Sequence, residues 1–100
     1  MNKKVRVQDL GLKDYKNSIA YFDKYINIEI EESGEDWVEV TAFLYRGIAY
    51  FETENYDQAL LNFDKQLQYS RDLSADAKYY KAQIYKSQGE IDEAKSLIDE

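Results

Sequence analysis

Residues 14–26, DYKNSIAYFDKYI, and residues 55–67, NYDQALLNFDKQL, are two versions of one segment. Tyr15/Tyr56, Phe22/Phe63, Asp23/Asp64 and Lys24/Lys65 are identical pairs, and Ile19/Leu60 and Ile26/Leu67 differ only in branching. A chain that repeats itself is made of units that cannot bury an apolar face alone, so each must stack on its neighbour. The repetition continues downstream. Gly47, Tyr50, Tyr56, Ala59 and Phe63 are echoed 35 residues later by Ala82, Tyr85, Ile91, Ala94 and Ile98, and 41 residues before Tyr56, Ala59 and Phe63 stand Tyr15, Ser18 and Phe22.

A small residue, an aromatic three positions on, an alanine nine further and a large apolar residue four beyond describe two antiparallel helices in close contact. Gly47 and Ala82 fall on the first helix of each pair, Ala59 and Ala94 on the second. Leucine at any of them would push the axes apart, at about 1 to 3 kcal/mol for an overpacked site. Tyr50, Tyr85, Phe63 and Ile98, one turn from a small residue, are expected to fill the space beside it as core. With no proline and four glycines, the composition favours helix. The spacing predicts a partial or irregular helix over 1–12 and helices over 14–32, 36–52, 56–70, 74–88 and 91–99. Gly34 and Gly89 suit left-handed helix stops, Ser74 an N-cap followed by Asp76, and Asn55 a short turn. The 41-residue offset is seven longer than a repeat period near 34 residues. Seven residues are two helical turns, so the helix after Tyr15 is expected to run on through Asn27, Ile28, Glu29 and Ile30; a long acidic loop is the alternative.

The segments FLYRGIAYFETENYDQALLNFDKQL and YYKAQIYKSQGEIDEAKSLI resemble the tetratricopeptide repeat family, over residues 36–100 and, as the second helix of an earlier repeat, 13–26. The resemblance implies an all-α, right-handed helical-hairpin repeat array of about two and a half repeats. One domain would span 1–100, with a partial first repeat over 13–33 and full repeats over 36–72 and 74–100. The family's tryptophan is replaced by Phe43 and Lys78, its following leucine by Arg46 and Lys81, and its closing proline is missing. The resemblance also implies binding of a peptide or helix in a concave groove lined by the first helix of each pair. Carried over by position, that groove is Leu44, Tyr45, Ile48 and Phe51, then Tyr79, Tyr80, Gln83 and Lys86. The alternative for Leu44, Ile48 and Phe51 is packing against the helix at 14–32. Family members that grip acidic chaperone tails use groove lysines and asparagines, and Leu44, Tyr45 and Ile48 stand there instead, so no such clamp is expected.

A net charge of -7 argues against nucleic acid and anionic membrane surfaces and favours a neutral or basic protein partner. Histidine and cysteine are absent, no glycine loop suits phosphate, and no carboxylate pair stands in a catalytic pattern, so no catalytic residue, cofactor or metal is expected. The acidic run EIEESGED, residues 29–36, lacks the ligand spacing of a calcium loop and reads as a solvated helix end and turn. No stretch approaches the roughly 20 apolar residues of a bilayer span. Lack of cysteine fits a reducing cytoplasm, the preferred compartment, and also a bacterial periplasm in which the chain is part of an anchored parent. A chain that begins at mid-repeat would leave an apolar flank on the 14–32 helix. A homo-oligomer or further repeats of a longer protein would cover it, and this structural role is the alternative to an interaction module.

Overall fold

The computed structural model describes residues 7–70 and 74–99, with side chains over 14–70 and 75–97. Among the described residues five α-helices follow one another: α1 (Val7–Glu32), α2 (Val40–Glu52), α3 (Tyr56–Tyr69), α4 (Ser74–Ser87) and α5 (Ile91–Asp99). A 3-10 turn, Glu35–Trp37, separates α1 from α2. The fold is an all-α helical-hairpin array. The α2–α3 and α4–α5 hairpins are the tightest associations; α1 lies on α2, α3 on α4, and α2 also touches α4.

Side-chain register establishes the directions. Phe43 stacks on Tyr69, a Cβ on Gly47 would meet Phe63, and Phe51 packs on Tyr56, so α2 and α3 run antiparallel. Gly47 is the closest point of approach: an added Cβ would sit 2.7 Å from Phe63 Cε1, inside any normal contact. Ala59, Ala82 and Ala94 are buried as well, so the small residues occupy the helix contacts. Leu44, Ala59, Phe63, Ala77 and Ile84 form one core cluster, flanked by Ile48, Tyr50, Phe51 and Tyr80. Ile26, Val38, Ala42 and Phe43 form a second, flanked by Phe22, Tyr25 and Tyr69. Tyr50 is half-buried against the first cluster and Tyr85 is also half-buried, whereas the side chain of Ile98 lies outside the described residues.

The long first helix is present and continues through Ile28 and Ile30 to Glu32, which accounts for the longer offset. Three local expectations are corrected. Residues 7–12 are not a separate irregular helix but the first turns of α1, residues 1–6 lying outside the described residues. The helix expected over 36–52 is a 3-10 turn followed by α2, interrupted where Val38 and Glu39 are extended, with ψ of 137° and 126°. The break has a tether: Glu35 accepts from Lys65 Nζ at 2.8 Å and from the Tyr69 hydroxyl at 2.7 Å, which fastens the acidic turn to the last turns of α3. Gly34 has the expected positive φ, 102°, but with ψ of 158° it is not left-handed helical; it occupies a region open essentially to glycine alone. The cap expected at Ser74, the first residue of α4, depends on a side chain outside the described residues.

The two hairpin turns are copies of each other. Asn55 N–H donates to the Tyr50 carbonyl at 2.8 Å, and Glu90 N–H donates to the Tyr85 carbonyl at 2.7 Å. Glu54 N–H bonds the Phe51 carbonyl as Gly89 N–H bonds that of Lys86. The residue that turns through positive φ is Gly89 at 80° in one and Glu54 at 63° in the other. The first is the usual glycine stop; the second places a side chain where glycine is preferred.

Candidate functional site

On the first helices of the two hairpins, seven of the eight positions expected to line a groove separate into three groups, with Tyr45 apart from them. Leu44 is 6% exposed and belongs to the core, so it supports the surface without contributing to it. Ile48, Phe51 and Tyr80 are half-buried against the same cluster, whose buried members come from α2, α3 and α4. Tyr79, 57% exposed, and Lys86 face solvent, and Gln83 is half-buried.

A continuous aromatic ladder links these groups. Tyr80 stacks on Phe63 at 5.5 Å and 12°, meets Phe51 edge-on at 5.3 Å, and meets Tyr79 edge-on at 5.2 Å. Such pairs add about 0.5 to 1.5 kcal/mol beyond the area they bury. Burial raises the Tyr80 phenol above its ordinary pKa, with Glu52, Tyr79 and Asp76 adding to the effect. Burial likewise raises Tyr15, with Glu52 and Tyr80 contributing. The carboxylate of Glu52 thus raises phenols from α1 and α4 at once. Every such group stays neutral near pH 7, leaving hydroxyl donors rather than phenolates on this face.

Tyr45 stands apart from the ladder. It is 45% exposed and turns toward α1, where it stacks on Phe22 at 6.4 Å and 29°, and Tyr21 meets Phe22 edge-on at 5.3 Å. A groove of about 210 Å³ opens here, lined by Tyr21, Phe22 and Tyr25 of α1 and Thr41, Ala42 and Tyr45 of α2, with Glu39 beside them. Sequence reasoning passed over Tyr21, Phe22 and Tyr25 as candidates. The signal was nonetheless available, because the offset that equates Phe22 with Phe63 and the one that equates Tyr45 with Tyr80 together repeat a stacked pair.

The two basic substitutions at the family's leucine position also repeat a structure. Arg46 Nη1 donates to Asp23 Oδ1 at 2.8 Å and Lys81 Nζ to Asp64 Oδ1 at 2.6 Å. Asp23 and Asp64 are equivalent in the duplicated segment, so each first helix is fastened to the preceding second helix by the same ion pair. Arg46 does more, since its Nε donates to Asn62 Oδ1 at 2.7 Å, and Asn62 Nδ2 donates to the Gln58 carbonyl. Among the described residues no helix is long and apolar enough to cross a membrane.

A family model described as tetratricopeptide repeat matches residues 50–100. Neither the curated proteins nor the solved structures compared with the chain include a match.

Proposed function

Because the chain belongs to the tetratricopeptide repeat family, whose repeats typically serve as non-catalytic protein-interaction modules, we propose that it binds a peptide or helix of another protein across α2 and α4. The contact surface is Ile48 and Phe51 with Tyr79, Tyr80, Gln83 and Lys86, laid over the buried Leu44; Tyr45, turned toward Phe22 of α1, lies outside it. The observation that carries this reading is the Phe51–Tyr80–Tyr79 ladder, which runs from core to solvent across two neighbouring first helices. Rings fixed at one end and exposed at the other offer large contact area with little rotamer entropy to lose. The net charge of -7 favours a neutral or basic partner.

The test is crosslinking capture with the wild-type chain and with Tyr79→Ala, a change at an exposed ring that leaves the core intact. Loss of captured partners in the variant is expected; an unchanged set would remove the basis for this surface. Self-association is a second reading, favoured by exposed Trp37 and Ile91, at 73% and 49%. Sedimentation velocity over a concentration series separates the two, a strict monomer excluding self-association.

A further inference from the structure

Two surfaces of this fold are made of equivalent residues, and among the described residues only one carries a helix. α2 rests on α3 and α4: Arg46 bonds Asn62, Gly47 abuts Phe63, and Leu44 and Phe51 pack with Ala77 and Tyr80. One repeat earlier, the positions of Asn62, Phe63, Ala77 and Tyr80 are held by Tyr21, Phe22, Ala42 and Tyr45, and these line the groove between α1 and α2. The stacked pair is conserved between the two surfaces, Phe63 on Tyr80 and Phe22 on Tyr45. What differs is cover. Beneath α2, Phe63 is fully buried and Tyr80 half-buried; in the groove Phe22 is half-buried and Tyr45 exposed, and among the described residues no helix lies over them.

We propose that the α1–α2 groove is a helix seat, taking an amphipathic helix of a partner protein that sets a glycine or alanine against Phe22. Its contact face follows the pattern that α2 uses one repeat later, Leu44, Gly47, Ile48 and Phe51. Equivalence with the α2 interface gives the shape of the occupant, because the same two ring types, stacked at 5.5 Å beneath α2 and at 6.4 Å in the groove, offer a similar surface to a notch. Glu39 beside the groove and the acidic chain as a whole select a neutral or basic helix. The proposal rests on the interaction-module reading but uses a different surface from the Phe51–Tyr80–Tyr79 ladder.

The full chain is titrated into a fluorescein-labelled, end-capped peptide with the sequence of residues 40–51, which carries Arg46 and no acidic side chain, and anisotropy is followed. Saturable binding is expected, weakened at least tenfold by Tyr21→Ala or Thr41→Arg in the chain and by Gly47→Leu in the peptide. Tyr79→Ala, which tests the other surface, should leave it unchanged. Tyr21 is 65% exposed, and a helical circular dichroism spectrum establishes that the variants fold. Four results overturn the proposal: no saturable binding; indifference to the Tyr21, Thr41 and peptide-glycine changes; amide shifts centred on Ala59 and Phe63, meaning exchange with α2; or a dimer of the chain that Tyr21→Ala dissolves.

Discussion

At Gly47 a single hydrogen atom decides whether two helices can meet. Phe63 cannot retreat from an added methyl, because its ring is fully buried and stacked on Tyr80. Gly47→Ala is expected to cost about 1 to 3 kcal/mol despite alanine's better helix propensity. For a chain of this size, each kcal/mol lowers the melting temperature by about 4 to 8 °C, which calorimetry resolves. Arg46 and Lys81 make a matched comparison. Removing Arg46 leaves the buried Asn62 oxygen without that donor, so Arg46→Ala is expected to cost about 1 to 3 kcal/mol. Lys81→Ala breaks a pair whose aspartate is 58% exposed and is expected to cost less than about 1 kcal/mol; urea denaturation of both variants tests the ranking. All the letters of these pairs were visible in the sequence, with Asp23 and Asp64 plainly duplicated. Their pairing was not, since partners 23 and 17 residues apart meet only once the helices pack. Lys65 similarly reads as an ordinary surface lysine until the fold brings it to Glu35.

The helices themselves were largely legible, because small and aromatic residues recur at helical spacing and the extra length of α1 falls out of the 41-residue offset. Their ends were less so. Glutamate carries no signal of positive φ, and the left-handed residue between α2 and α3 is Glu54 where the equivalent turn uses Gly89. Glu54→Gly should therefore stabilise the chain by about 1 kcal/mol, the lower end of the cost of left-handed backbone for a residue with a Cβ. A melting temperature equal to or below wild type would contradict it. The split of the expected 36–52 helix depends on a tether that no local pattern encodes. Hydrogen bonds from Lys65 and Tyr69 hold the Glu35 carboxyl below its usual range, and the bond to Glu35 pushes Tyr69 up to about 12. A phenol raised from 10 stabilises the fold below pH 10, and that contribution disappears as the pH climbs toward 12. A lowered carboxyl acts in the opposite window, stabilising above its ordinary value of 4.5 and losing the contribution in acid. The stability difference between wild type and Tyr69→Phe should thus be constant from neutrality to about pH 9 and shrink between 10 and 12. A difference that does not change over that range would dissociate Tyr69 from Glu35.

Across the whole molecule the helices form a slab of 40 × 38 × 22 Å with a radius of gyration of 14.2 Å, against about 13 Å for a compact chain of this length. That flattening follows from units that each touch only their neighbours, and it leaves broad faces for contact. On the proposed face, the exposure of Tyr79 and the option of burial for Leu44 were readable from residue type and position, whereas the turn of Tyr45 toward Phe22 was not, because it depends on how the helices cross. The groove between α1 and α2 is the same crossing one repeat earlier, so its meaning depends on the register of the α2–α3–α4 contact. That register is read most directly in an isotope-edited NOESY spectrum of the free chain. Cross-peaks from the Gly47 α-protons to the Phe63 ring, together with ring-to-ring peaks between Phe51 and Tyr80, are expected. If the Gly47 α-protons instead show contact only with water and neighbouring residues of α2, the close packing at the small residues, and with it the equivalence of the two surfaces, is contradicted.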